Sequence, residues 1–98
     1  MAKIIVTPQA QRDIEAAAIA LELPSDSWAR IARSLRALKT FPLAGPKLEG
    51  HWAPLRFVIG PWSWMILLYR YERASDEVFV VAVLDARSAG SPLSPQNS

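Results

Sequence analysis

The chain has 98 residues, about half of them apolar, with a net charge of only +2 and no cysteine. That length suits one domain with a modest core, the apolar share argues against global disorder, and the charge balance alone predicts no polyanion partner. Disulfides and cysteine metal sites are excluded, and a single histidine, His51, argues against a histidine-rich metal site or a Ser-His-Asp triad.

Lys3 to Val6 is a short β-branched run and reads as a strand. Thr7-Pro8 then predicts a helix start, because threonine caps free N–H groups and proline is pre-set for the first helical position. The first helix should run from Pro8 to about Leu23, with Ala10, Ile14, Ala17, Ala18 and Leu21 on one stripe. Pro24 ends it. Ser25 is the expected cap of a second helix, with Asp26 in its first turn, favoured there by the helix dipole. Trp28, Ile31, Leu35 and Leu38 form its apolar stripe. Arg30, Arg33, Arg36 and Lys39 fall largely off that stripe and read as a solvated basic face. The short link between the helices predicts an antiparallel hairpin.

Thr40 to Pro54 is a connecting loop, punctuated by Pro42, Gly45, Pro46, Gly50 and Pro54. Three apolar runs follow: Leu55 to Ile59, Trp62 to Tyr71 and Val78 to Leu84. Gly60-Pro61 and Ala74-Ser75-Asp76 separate them, which predicts a β-meander with the middle run as central strand. After Arg87 the chain turns to Ser, Pro, Gly and Asn and cannot bury enough apolar surface to order itself. The expected organisation is one domain over 1–87 and a flexible tail over 88–98. Ile4-Ile5-Val6 is too short for a signal-peptide core. No apolar run approaches the ~20 residues that span a bilayer. A soluble cytoplasmic protein without membrane contact is expected.

Strand side chains alternate faces. On the central strand Met65, Leu67, Tyr69 and Tyr71 share one face, while Trp64, Ile66, Leu68 and Arg70 share the other, with Trp62 at its start. On the last strand Val78, Val80, Ala82 and Leu84 oppose Phe79, Val81, Val83, Asp85 and Arg87. One face should receive the helices. The other is expected to carry Arg56, Arg70, Asp85 and Arg87 at its margins around an apolar patch of Trp64, Ile66, Leu68 and Val81. One helical layer cannot cover both faces, so the second should be a partner surface or be covered by another copy of the chain. Tyr69 and Tyr71 read as core, and Asp85 as an ion-pair partner of Arg87 or Arg56.

The order strand, helix, helix, three antiparallel strands resembles the RelE/ParE superfamily of bacterial type II toxins, over roughly Lys3 to Arg87. Thr7-Pro8-Gln9-Ala10 with Asp13-Ile14 is similar to the family's first-helix entry. Pro42, Gly45 and Leu48 are similar to its central loop, Leu55-Arg56 to the start of its meander, and Val83 to Arg87 to its closing strand. The resemblance implies an α+β fold with a helical hairpin on one face of a mostly antiparallel sheet. RelE-type members cut mRNA on the ribosome with several Lys and Arg side chains and often a C-terminal Tyr. Such a set suits cleavage because cations stabilise phosphorane charge while an acid or base moves protons. Here Arg56 and Arg87 match basic positions. Ile66, in the run Ile66-Leu67-Leu68-Tyr69, stands where an Arg is common, Val58 where a second basic residue often lies, and Asp85 where many members have His. No Tyr or Lys follows Arg87.

These departures point to the ParE side, whose members poison DNA gyrase by binding, without covalent chemistry, metal or cofactor. The implied partners are gyrase and a cognate antitoxin lying over the second face through an extended or helical segment, as a homodimer or a toxin–antitoxin hetero-oligomer. The candidate target- or antitoxin-binding residues are Arg56, Trp62, Trp64, Ile66, Leu68, Arg70, Val81, Asp85 and Arg87. The alternatives are a RelE-like ribosome-dependent mRNA endonuclease with Arg56 and Arg87 as catalytic cations, and a degenerate module that binds an antitoxin but harms nothing.

Overall fold

The computed structural model describes residues 1–88, 91 and 92. The elements are β1 (Lys3–Val6), α1 (Pro8–Ala20), α2 (Ser27–Leu35), α3 (Ala37–Thr40), a 3-10 turn at Gly50–Trp52, β2 (Arg56–Ile59), β3 (Met65–Glu72) and β4 (Glu77–Asp85). The strands form one sheet in the order β1-β4-β3-β2. β1 runs parallel to β4, and the other neighbours are antiparallel. This is the expected α+β architecture.

α1 starts where Thr7-Pro8 places it, with the Thr7 side chain accepting from the Ala10 N–H. It ends at Ala20 rather than Leu23, because Glu22 takes a left-handed φ of 49° and turns the chain. The second helix is capped at Asp26, not Ser25. The Asp26 carboxylate makes no capping bond and instead accepts from Arg30 Nε at 2.9 Å. The helix also breaks at Arg36, whose N–H reaches back three residues to Arg33 in a tightened turn, before α3 resumes.

The core lies between the helices and one sheet face. Ala10 and Ile14 of α1, Ile31 and Leu35 of α2, and Leu38 of α3 pack with Met65, Leu67, Tyr69, Val78, Val80 and Val83. α1 lies over β4. The Tyr69 hydroxyl, deep in this core, accepts the Gly45 N–H at 2.9 Å. A side chain at Gly45 would collide with the Phe57 carbonyl oxygen and the Tyr69 ring, so only glycine lets the loop approach this closely.

A β-bulge divides β4. Leu68 pairs with Ala82 but Tyr69 pairs with Val80, which leaves Val81 as the extra residue. An extra residue shifts the alternation beyond it by one. Val83 and Asp85 therefore share the face of their partners Leu67 and Met65, on the helix side, while Ala82 and Leu84 pass to the other face. This corrects the unbroken alternation read from Val78 to Arg87. The bulge is tied to α1 and its cap. The Thr7 hydroxyl donates to the Val80 carbonyl at 2.9 Å, and the Val83 N–H donates to Asp13 Oδ2 at 2.9 Å.

The second face also departs from expectation. Ile66 and Leu68 are 0% and 1% exposed, so they form no open apolar patch. Their cross-strand neighbours there are Ile59, Leu84, Phe57 and Ala82. The predicted tail falls mostly outside the described residues; of those described, Ser91 is buried. No helix among the described residues is long and apolar enough to cross a membrane.

Candidate functional site

The turn from β2 into β3 builds one end of the molecule. The Gly60 N–H donates to the Met65 carbonyl at 2.8 Å and the Met65 N–H to the Trp62 carbonyl at 2.9 Å. These bonds close a turn, so Trp62 and Trp64 precede β3 instead of continuing its alternation. Both pack against the helix-side core rather than beside Ile66 and Leu68. Their rings stack with centroids 6.3 Å apart and planes 21° from parallel. Arg30 of α2 lies over Trp62 at 6.0 Å, and Arg87 lies over Trp64 at 5.3 Å. Together these four side chains make a row of arginine, tryptophan, tryptophan, arginine.

Both arginines are held. Arg30 pairs with Asp26 one helical turn earlier. Arg87 grips Asp85 bidentately, Nε to Oδ1 at 2.9 Å and an Nη to Oδ2 at 2.8 Å, and its backbone N–H adds a third bond at 2.8 Å. These bonds from Arg87 hold the Asp85 carboxyl below the usual carboxylate range and raise the Arg87 guanidinium above its ordinary value. A polar groove of about 450 Å³, lined by Asp26, Arg30, Arg33, Ser34 and Pro61, flanks the row on one side. An apolar cleft of about 320 Å³ between the alanines of α1 and Trp64, Val83, Leu84 and Asp85 flanks the other.

Arg56 belongs elsewhere. It pairs across the sheet with Tyr69, on the helix-side face, not on the margin of the second face. Its Nη1 donates to the Leu43 carbonyl at 3.2 Å and the Gly45 carbonyl at 2.9 Å, fastening the loop that Tyr69 also holds. Asp85 pairs with Met65, four positions along β3 from Tyr69. At about 3.3 Å per residue, Arg56 and the Asp85–Arg87 pair stand on the order of 13 Å or more apart along the sheet.

Arg70 alone of the four charged candidates faces the second side. Its guanidinium lies over its cross-strand partner Phe79 at 4.3 Å and near Glu72 at 3.8 Å. Val81 is the half-buried bulge residue, and Ile66 and Leu68 offer no surface. The structure thus gathers Trp62, Trp64, Asp85 and Arg87, separates Arg56 and Arg70 from them, and adds Arg30, which was read as part of a solvated face. The Asp26–Arg30 spacing of four residues was the one sequence signal for a fixed Arg30. Among the described residues no three His, Cys, Asp or Glu side chains come together as a metal site.

An end built of stacked indoles, fixed guanidinium groups and an adjoining apolar cleft has the chemistry of a protein-binding surface. Tryptophan and arginine supply large contact area and directed hydrogen bonds, and they are enriched among the energetically dominant residues of interfaces.

The fold defines an α+β class in which a helical layer covers one side of a four-stranded sheet. The sequence matches no family model and no curated protein. Among solved structures, the chain is similar to a copper-bound point mutant of a toxin from Helicobacter pylori. That match has 21% identity and a TM-score of 0.64, covering 87% of this chain and 94% of that one. It is also similar to the solution structure of a conserved hypothetical protein from Helicobacter pylori, at 18% identity and a TM-score of 0.51, with the same coverage of 87% and 94%. At these identities the likeness is one of fold.

Proposed function

We propose that this chain is the toxin of a bacterial toxin–antitoxin pair, that it acts as ParE-type toxins do by binding DNA gyrase, and that a cognate antitoxin neutralises it in the cytoplasm. The fold likeness to the Helicobacter pylori toxin supports the first part. The fate of the two candidate catalytic arginines carries the choice of mechanism. Phosphodiester cleavage needs cations converging on one phosphate and a group beside them to move a proton. Arg56 is engaged with the Leu43 and Gly45 carbonyls, and Arg87 is neutralised by Asp85 at the other end of β3. Asp85, which touches Arg87, has its carboxyl pKa lowered by those bonds, so near neutral pH it carries no proton to donate and its carboxylate is a weakened base. Binding through Trp62, Trp64, Arg30 and Arg87 asks for no such convergence.

The test is a supercoiling assay with purified chain and gyrase, run beside a ribosome-plus-mRNA cleavage assay. Dose-dependent loss of supercoiling with intact mRNA is expected, weakened by Trp62→Ala and by Arg87→Ala. Cut mRNA with normal supercoiling would overturn the gyrase reading in favour of a RelE-type nuclease. Silence of the folded protein in both assays, together with uninterrupted growth on induced expression, would leave the degenerate binding module.

A further inference from the structure

A second apolar surface lies at the opposite end of β3 from the tryptophan row. After α3 the chain turns through Phe41, Pro42, Leu43 and Ala44. The Phe41 N–H donates to the Ala37 carbonyl at 2.8 Å and the Ala44 N–H to the Phe41 carbonyl at 3.0 Å. The turn is fastened to the sheet from beneath. Arg56 donates to the Leu43 and Gly45 carbonyls, and the Gly45 N–H donates to the Tyr69 hydroxyl. This anchoring leaves the apolar side chains outside: Phe41 is 65% and Leu43 45% exposed. Large apolar groups held in water on a fixed backbone mark a contact surface, and the fixed backbone lowers the ordering cost of binding.

An apolar groove of about 600 Å³ adjoins the turn, lined by Phe41, Pro42 and Leu43 and by Tyr71 and Arg73 where β3 runs into its hairpin. The Tyr71 hydroxyl donates to Asp76 Oδ1 at 2.7 Å, which fixes the ring and places Asp76 beside the groove. Asp76 turns the hairpin at a left-handed φ of 53°. Arg73 and Asp76 are both exposed, and neither is in an ion pair among the described residues. One patch therefore holds an apolar knob, a groove, a guanidinium and a carboxylate.

We infer that this patch joins two copies of the chain about a two-fold axis. Phe41 of each copy sits in the groove of the other, between Leu43 and Tyr71, and Arg73 of each meets Asp76 of the other. A two-fold contact uses the same surface twice, so a knob must lie beside its own hole and a charge beside its own counter-charge. This patch meets both conditions. A partner segment with one sign of charge fits less well, because an acidic segment that satisfies Arg73 also meets the Asp76 carboxylate, and a basic one does the reverse. The patch has far fewer residues than the roughly 20–30 a side of a standard interface, so the dimer should be weak and concentration-dependent. Tyr71 lies six positions along β3 from Met65, on the order of 20 Å from the tryptophan row, so the row stays open in both copies. That two open rows act on gyrase rests on the function proposed above. The dimer itself does not.

The test is analytical ultracentrifugation of the full chain, without gyrase or antitoxin, from about 10 μM to about 1 mM. A monomer–dimer equilibrium is expected within that range. Phe41→Glu puts a charge into the groove and should weaken the dimer about ten-fold or more. Arg73→Glu sets acid against Asp76 and should weaken it about three-fold or more. Both positions are exposed, so each variant should keep the parent's urea midpoint. Trp62→Ala, at the other end of β3, should leave the dimer unchanged. Amide shifts on dilution should centre on Phe41, Leu43 and Arg73. A chain that stays monomeric throughout, a dimer indifferent to both Phe41→Glu and Arg73→Glu, or dilution shifts centred on another surface would each overturn the inference. The supercoiling assay reports on the toxin reading separately. Inhibition by a chain that stays monomeric keeps that reading and removes this inference, and a dimer without inhibition does the reverse.

Discussion

Asp13 offers the sharpest test of how the site is positioned. Its carboxylate accepts the Val83 N–H at 2.9 Å, across 70 residues of chain, just beyond the bulge at Val81. Val83 itself is buried in the core. Asp13→Ala would remove a hydrogen bond to a charged acceptor and leave a backbone donor unpaired at the core margin. Such bonds contribute about 1.5–3 kcal/mol, so a loss of about 2 kcal/mol is expected. For a domain of this size that corresponds to a fall in Tm of about 8–16 °C. Asp13→Asn keeps a neutral acceptor and should lose about half as much. The assay is urea unfolding of the three proteins, with amide exchange at Val83 as the local readout. Gln9→Ala serves as control, since the exposed Gln9–Asp13 bond contributes little. An Asp13→Ala variant within about 0.5 kcal/mol of the parent, with Val83 still protected, would refute the claim that α1 holds the bulge.

The remaining expectations concern single contacts. Tyr69→Phe leaves the Gly45 N–H without its acceptor inside the core and should destabilise the chain by about 1–3 kcal/mol in urea unfolding. Burial raises the Tyr69 hydroxyl pKa, so its contribution to stability is complete below the unfolded phenol value of about 10 and is lost as pH rises through the higher folded value. The parent should therefore lose more stability than Tyr69→Phe in strong alkali, and identical profiles would refute this. Asp85 behaves in the opposite sense. Its folded pKa is depressed by Arg87, so the pair is intact above the unfolded carboxylate value and opens only as pH falls through the lower folded one. A carboxyl-carbon NMR titration that finds Asp85 at the ordinary value would sink the observed geometry. Arg87→Ala, at an exposed pair, should leave the urea midpoint nearly unchanged while weakening gyrase inhibition. A large stability loss would make Arg87 a structural residue.

Much of the fold was legible because local signals agreed with one another. Thr7-Pro8 opened α1 as read, the Gly60-Pro61 and Ala74–Asp76 breaks delimited the meander, and the period-two pattern of Met65, Leu67 and Tyr69 found the core face. Asp85 as the partner of Arg87 was also legible, since the two are neighbours in the chain. Arg56 was not. Its sequence neighbours give no hint that the loop carbonyls of Leu43 and Gly45 would fold back to meet it. Trp62 and Trp64 fitted the alternation of β3 on paper, but a turn closed by Gly60 and Met65 removed them from the strand.

By itself the sequence determined which segments are helix and strand, their order, and the face of β3 that meets the helices, because propensity, capping and periodicity act over a few residues. Only the tertiary structure decided which way the end of β4 faces. The bulge at Val81 adds one residue to one strand, and one residue is enough to exchange the faces of Val83, Leu84 and Asp85. Its fastenings are Thr7 and Asp13, more than sixty residues away in the chain. No local pattern in β4 can encode a shift that is held in place from another element.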